Sequence, residues 1–434
     1  MNVHDSERMA GLLEQAGYEA TEDPEDADVV VLNTCSVRER AEDKLYSRLG
    51  ELRTLGQSQS GRPLIAVAGC VAQQEGESIL ERASHVDIIV GTQASRYLPL
   101  MVERAASTSE PQVDLHPYDD VSFPLGIARR SDPVKAYVTI IEGCNDYCSF
   151  CVVPYTRGHE RMRSKAEVLA EVSEAVAGGR REVHLLGQIV NHYQAPDDPG
   201  CDFPALLAAV NDMPGVERIR FASPHPRHAS QRLVEAVRDL PHVCKHVHLP
   251  VQSGSTRILE SMRRRHSREE FLDLVARLRH AVPGLAVSTD MIVGFPGETE
   301  EDFRDTMTLT EQAGFSSMFS FKYSERPNTL ATKRLKDDVP EEVKGRRLAE
   351  LQALQKSIQW GIHQSAVGHV FDVLIDSRSR RSASELAGRT TGNAVVNLPG
   401  EPGWVGKTMA IKIVRAGPNS LWGEAVHDSV VDTA

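Results

Sequence analysis

Nowhere in the 434 residues does an apolar run approach the roughly 20 residues that span a bilayer. The opening segment, Met1-Asn2-Val3-His4-Asp5-Ser6-Glu7-Arg8, has neither a basic stretch nor an apolar one, so it is no signal peptide. Internal repeats and extended low-complexity tracts are missing, which sets aside repeat architectures. An excess of positive charge is missing as well: the formal net charge is −12, the wrong sign for a simple nucleic-acid binder. What remains is an ordinary cytoplasmic globular protein, 41% hydrophobic and 25% charged, long enough for about three domains.

The charge is unevenly spread. Residues 1–106 hold 18 Asp and Glu against 10 Lys and Arg, a net of −8. Basic groups cluster later, at Arg161/Arg163/Lys165, Arg263-Arg264-Arg265, Lys344/Arg346/Arg347 and Arg378/Arg380/Arg381. Such patches hold phosphates even on an acidic chain, although each taken singly reads first as solvated surface. There are seven cysteines: Cys35, Cys70, Cys144, Cys148, Cys151, Cys201 and Cys244. An odd number in a reducing compartment argues against a disulfide framework, and three within eight residues point to metal.

The pattern divides the chain into an N-terminal region 1–105, a linker 106–131, a core 132–360 and a small final domain 363–430. In the first region helix-like segments (5–15, 37–55) alternate with short apolar runs at 28–33, 64–69 and 86–91. That alternation predicts a parallel α/β sheet. Cys35 and Cys70 each lie just past a strand, where ligands of such sheets collect. Residues 105–132 are rich in Ser, Pro and Asp without periodicity, hence the linker. Strands then recur at 136–141, 183–187, 218–222, 246–250, 286–293 and 316–321, with helices at 165–177, 229–239, 268–281 and 300–313. About six such units fit a partial parallel (β/α) barrel, with an open doubly wound sheet as the alternative. Residues 338–360 read as one long charged helix. After it, short strands at 370–375, 394–398, 408–414 and 421–425 predict a small all-β barrel.

The central motif is Gly143-Cys144-Asn145-Asp146-Tyr147-Cys148-Ser149-Phe150-Cys151, C-x3-C-x2-C directly after a strand. A compact loop points three thiolates at one face of a cubane iron–sulfur cluster. Three thiolates for four irons leave one iron free to bind a small chelating molecule. A ferredoxin closes its cluster with four cysteines, and structural zinc also takes four ligands; His159 would supply a fourth if zinc were bound.

This loop resembles that of the radical S-adenosylmethionine (SAM) enzymes. Its surroundings resemble one family among them, the methylthiotransferases: Ile141 to Gly158, Leu185-Leu186-Gly187-Gln188, His248 to Ser255 and Asp290 to Thr299. Leu32 to Arg38 and Ala68 to Gln73 resemble that family's auxiliary-cluster domain. Leu386 to Thr390 with Asn393 resembles the TRAM domain, a small RNA-binding β-barrel. One branch of the family modifies a ribosomal-protein aspartate and another a tRNA adenosine. The stretches Val152 to Gly158 and Gly388-Arg389-Thr390 are closest to the tRNA branch.

The resemblance implies methylthiolation of N6-(dimethylallyl)adenosine beside the anticodon, in tRNAs reading codons that begin with uridine. It implies SAM and two 4Fe–4S clusters: one on Cys144, Cys148 and Cys151, which are also the catalytic residues, and an auxiliary one on Cys35 and Cys70. The family carries a third auxiliary cysteine just before a Met-Asn pair, and this chain begins at Met1-Asn2. Either the true start lies upstream or the auxiliary cluster is incomplete; a first helix with no strand before it favours the upstream start. Gly187 and Gln188 are candidates for the methionine end of SAM and equally readable as a strand-end turn; Gln252 and Ser253 are candidates for ribose or substrate, and the backbone of Asp290 to Glu298, with Asp290 and Gly294, for adenine. Arg157 suits a phosphate or carboxylate. In the last domain Arg389, Lys407, Lys412 and the group at 378–381 are candidate RNA contacts; Trp404 reads equally as a stacking group or as core, and Trp422, inside a strand pattern, reads first as core. Cys201 and Cys244 read as structural. The implied partners are tRNA, an electron donor such as flavodoxin or ferredoxin, and iron–sulfur carrier proteins, with no membrane and a monomeric state. The reading of another class is a non-enzymatic RNA-binding metalloprotein.

Overall fold

The structure, a computed structural model, describes residues 1–36, 39–55, 62–117, 127–379, 382 and 384–426. It divides into two compact units. One is Met1–Ser131 with Thr139–Arg163 and Ser324–Leu335; the other is Asp132–Val138, Ser164–Tyr323 and Lys336–Ala434.

In the first unit a parallel sheet runs β1 (Val29–Asn33), β2 (Leu64–Ala68), β3 (Ile88–Val90), β4 (Gln112–Asp114), its spatial order that of the chain. The apolar run of β2 is buried on both faces, as a parallel strand between helices requires. Leu45, Leu49 and Leu52 of the helix Glu39–Leu55 pack with Ile65 and Val67 on one face. Met9 of the helix Asn2–Gln15 joins Leu98, Met101 and Val102 against Ala66 and Ala68 on the other. Strand β4 lies in the segment expected as a linker. Three residues are too few to show a period, and β4 forms because β3 offers a ladder, with Ile88 opposite Gln112. Residues 118–126 of that segment lie outside the described residues.

The core strand expected at 136–141 is two strands, β5 (Lys135–Thr139) and β6 (Ile141–Glu142). Strand β6 pairs antiparallel with β7 (Arg161–Met162), and the two bracket the cysteine loop.

In the second unit β8 (Glu182–Leu186) and β9 (Arg218–Phe221) continue from β5, and β10 (His246–His248), β11 (Ala286–Val293) and β12 (Ser317–Lys322) form a second three-stranded group. The Ile219–Val243 bridge joins the two groups. Spatial order again follows chain order, which is the topology of a partial barrel; a doubly wound sheet would reverse order midway. The helices Lys165–Ala177, Arg268–Ala281 and Glu300–Ala313 each start on a capping box, from Ser164, Ser267 and Thr299. The long charged helix is Glu341–Ser365, with Pro340 at its N-cap.

The last five strands, β13 (Val370–Arg378), β14 (Glu385–Thr390), β15 (Val395–Pro399), β16 (Thr408–Ala416) and β17 (Leu421–Ala425), close a barrel in the order β13-β14-β15-β17-β16. Its interior holds Val373, Ile375, Leu386, Val396, Leu398, Ile411 and Ile413. Strand β14 was not among the expected strands, because Gly388 and Arg389 break its apolar pattern. Gly388 serves packing instead: a Cβ there would lie 2.5 Å from the Leu374 carbonyl oxygen.

This small barrel packs on the N-terminal ends of the core strands through buried polar groups. Arg218 donates to the carbonyls of Arg389 and Asp372, Arg220 to those of Thr390 and Thr391, and Lys135 pairs with Asp376 at 2.6 Å. Glu182, wholly buried, accepts from Arg220 Nε–H at 3.0 Å and hydrogen-bonds His184 at 2.6 Å. Burial alone would raise the Glu182 pKa. The His184 hydrogen bond and the Arg220 charge outweigh it and hold the carboxyl well below the usual carboxylate range.

A depressed folded-state pKa stabilises the fold above the unfolded carboxylate pKa, and the contribution fades as pH falls below that value. Replacing Glu182 with Gln leaves Arg220 buried against a neutral amide and is expected to cost about 3 kcal/mol at neutral pH. In denaturant titrations the gap between wild type and Glu182→Gln should stay constant from about pH 8 to 6 and narrow by roughly 0.5–1 kcal/mol by about pH 4. A gap independent of pH over that range would show that the carboxylate charge is not what is lost.

Candidate functional site

The three-cysteine loop lies in the first unit, between β6 and the short helix Val153–Thr156. Two left-handed residues fold it tightly, Gly143 at φ 75° and Tyr147 at φ 47°. Gly143 is obligatory, since a Cβ there would fall 2.0 Å from the His159 carbonyl oxygen. Backbone bonds from Cys144 N–H to the Gly158 carbonyl and from Cys151 N–H to the Cys148 carbonyl hold the ends of the turn. Cys144 and Cys148 are buried and Cys151 half-buried. Burial pushes the Cys144 thiol up to about 12, against the opposing Asp146 backbone hydrogen bond. A bound metal would be what keeps it a thiolate. Three soft sulfur donors on one turn suit iron–sulfur chemistry. His159, the alternative fourth ligand, has its Nδ1 3.3 Å from both Asn145 Oδ1 and the Tyr147 hydroxyl.

Cys35 and Cys70 are brought together by strand register. Asn33 of β1 sits opposite Ala68 of β2, and each cysteine follows two residues later. Thr34 bonds across to both sides of this exit, donating to the Ala68 carbonyl and accepting from Val71 N–H. Gly69, at φ 88°, makes the approach possible, because a Cβ would meet Asn33 Oδ1 at 2.2 Å. Cys70 is buried and Cys35 half-buried. The helix Cys70–Glu75 packs on Val153–Thr156, so the segment after the three-cysteine loop abuts the helix that Cys70 opens. Gln93 and Thr92 fasten this segment by donating to the carbonyls of Arg157 and Thr156.

Arg157 binds a carboxylate within the protein. Its guanidinium is buried and meets Asp5 at 2.5 Å and Asn2 at 3.3 Å. Burial would raise the Asp5 carboxyl, but the Arg157 charge and hydrogen bond hold it below its ordinary value. The sequence offered no signal for this partnership, which spans 152 residues.

The candidate SAM contacts lie in the second unit, past the C-terminal ends of β8 and β11 or beside β11. Gly187 is buried and Gln188 half-buried at the end of β8. Gln252, at φ 80°, extends the sheet by bonding the backbone of Asp290 and Ile292. Ser253 is fully buried and its hydroxyl accepts from Ser255 N–H within the turn. Gly254 lets a helix come close, as a Cβ would meet Thr306 Cα at 2.4 Å. Gly294, at φ 71°, donates to Glu298 Oε1 and lies against Lys344, where a Cβ would be 2.3 Å from Cγ. Much of the Gln252 to Ser255 and Gly294 to Glu298 motifs is therefore packing.

The basic clusters separate in the same way. Lys344 and Arg347 are buried on Asp337 and Glu298, Arg264 is buried with its guanidinium on the Pro250 carbonyl, and Arg163 is buried on the Thr139 carbonyl. Lys165 pairs with Asp198. On the small barrel, Arg389 turns to the Asn393 carbonyl and Oδ1 at 3.1 Å. Lys407 and Lys412 are exposed, and so is Arg378; Arg380 and Arg381 lie outside the described residues. Trp422 carries Arg415 over its ring at 3.9 Å, while Trp404 packs on the barrel core. Cys201 and Cys244 are buried.

Three family models match the chain: Uncharacterized protein family UPF0004 over residues 1–91, Radical SAM superfamily over 138–310, and TRAM domain over 364–426. Among solved structures, the radical SAM methyltransferase TsrM from Kitasatospora setae superposes with a TM-score of 0.56 at 14% identity, covering 85% of this chain and 75% of that one. This likeness concerns the fold. Among curated proteins, the tRNA-2-methylthio-N(6)-dimethylallyladenosine synthase of Bordetella pertussis is 47% identical over 427 residues, 98% of this chain and 95% of that protein. The protein of the same name from Alkalilimnicola ehrlichii is 45% identical, with the same coverage. The one from Thiobacillus denitrificans is 46% identical over 98% of this chain and 96% of that protein. With such identity along almost its whole length, the chain belongs to the tRNA-2-methylthio-N(6)-dimethylallyladenosine synthase family.

Proposed function

We propose that this protein is a radical SAM enzyme that converts N6-(dimethylallyl)adenosine to its 2-methylthio derivative beside the anticodon of tRNAs that read codons beginning with uridine. The observation that carries the reading is the tight three-thiol turn at Cys144, Cys148 and Cys151, in a chain 47% identical to enzymes of that name. The adenine C–H that is replaced is neither acidic nor polarised, so no general base on the chain can open it. When bound, iron–sulfur clusters and SAM supply the radical, the sulfur and the methyl group.

The chain's own part is to hold and orient these groups. Cys144, Cys148 and Cys151 would hold a 4Fe–4S cluster through three thiolates, and the cluster would supply the electron that opens SAM. Cys35 and Cys70, aligned at the ends of β1 and β2, would supply two of the three thiolates that a second cluster takes. Gly187 and Gln188 receive the methionine end of SAM, Gln252 its ribose, and the backbone from Asp290 to Gly294 its adenine. Lys407 and Lys412, exposed on the TRAM barrel, meet RNA phosphates, while Arg389 shapes the turn at Asn393. The electron comes from a flavodoxin- or ferredoxin-type donor, carrier proteins deliver the clusters, and the protein acts as a monomer. No helix among the described residues is long and apolar enough to cross a membrane.

Two variants separate the roles of the cysteines. Cys148→Ala, reconstituted without oxygen, should lose reductive SAM cleavage down to background and about four irons per chain. Retained cleavage in that variant would remove the basis of the proposed mechanism. The double variant Cys35→Ala/Cys70→Ala should keep SAM cleavage, lose about four irons, and give no mass gain on dimethylallylated tRNA. An unchanged iron count in the double variant would show that these two thiols hold no cluster.

A further inference from the structure

The core strands of the second unit have an inner face unlike their outer one. Outward, Val247, Val287, Met291 and Val293 are buried beneath the helices, and Ser320 of β12 accepts from Gln352 of the helix Glu341–Ser365. Alternation along β12 therefore turns Phe319 and Phe321 to the opposite, inner face. Parallel register places Phe319 beside Asp290 and Phe321 beside Ile292. His248 completes the group: its ring meets Phe319 edge-on at 6.2 Å, its Nε2 is 3.5 Å from Asp290, and its Nδ1 is 2.9 Å from Ser288 Oγ.

Phe319 leaves 52% of its surface exposed, more than any other Phe, Tyr or Trp among the described residues, and it does so on a strand. Two aromatic rings and convergent polar groups on one inner face are the lining that a small flat ligand takes. The ligand that fits has a flat polar ring with a short branched hydrocarbon attached. A dimethylallylated adenosine is such a molecule, and its five-carbon group has no hydrogen-bonding capacity to satisfy. We infer that Phe319, with Phe321, forms the wall that receives the dimethylallyl group of the target adenosine, while His248 forms the polar edge along its base. The inference rests on the proposed tRNA substrate and goes further by naming what selects the prenylated base.

The wall makes recognition of the hydrocarbon separable from that of SAM and of the RNA backbone. Binding is measured on the full chain for two anticodon stem-loops that are identical except for the N6-dimethylallyl group, and for SAM alone. Wild type should prefer the dimethylallylated stem-loop by about tenfold or more, and Phe319→Ala should remove most of that preference with SAM affinity unchanged. Phe319→Leu keeps apolar area on the wall and should retain most of the preference. Full preference in Phe319→Ala, or a loss equally deep in Phe319→Leu, would overturn the assignment. Weakened SAM binding with preference intact would give the wall to SAM instead. Methylthio transfer is followed in the same samples: a wild type that shows the preference but transfers nothing would sink the activity and leave the wall standing.

Discussion

Where β1 and β2 run side by side with Asn33 opposite Ala68, their chain exits fall at one level, and Cys35 and Cys70 emerge together. Parallel pairing imposes this wherever it occurs, because every strand of such a sheet ends at the same edge. In the second unit it brings Gly187 and Gly294 to the ends of β8 and β11 and aligns Gln252 with β11. The functional assignments rest on that constraint. Residues far apart in the chain become neighbours through register, and the glycines at 69, 143 and 254 permit the close approaches that follow.

A second feature is the polarity of the inner core. A closed barrel of eight strands fills its interior with branched apolar side chains. Here the inner faces carry Glu182, His184, Arg220, His246, His248 and Asp290, joined in part through Ser288. At the N-terminal ends of the strands the TRAM barrel lends its carbonyls to Arg218 and Arg220, which satisfies donors that burial would otherwise leave costly. The TRAM barrel is thereby fixed to the core strands by charge-assisted hydrogen bonds as well as by the helix Glu341–Ser365.

The motifs that revealed the family are a mixture of chemistry and carpentry. In His248 to Ser255, Ser253 and Gly254 serve a turn and a helix crossing, and Ser255 caps a helix and bonds Asp302. The basic clusters mislead in the opposite direction. Lys344, Arg347, Arg264 and Arg163 look like phosphate ligands in a linear string, but each is buried on an acceptor supplied by another segment. Composition cannot tell a buried arginine from an exposed one, because the partner is chosen by the fold.

The sequence by itself determined the order of domains, most of the core strands and helices and the three-cysteine turn, since these depend on local periodicity, capping residues and spacing along a few consecutive residues. It could not supply β4 or β14, which exist only because a neighbouring strand completes their hydrogen bonds. It could not pair Arg157 with Asp5, align Cys35 with Cys70, or turn Phe319 to the inner face beside His248. Those decisions belong to tertiary structure, because strand register and long-range burial set distances that no local pattern encodes.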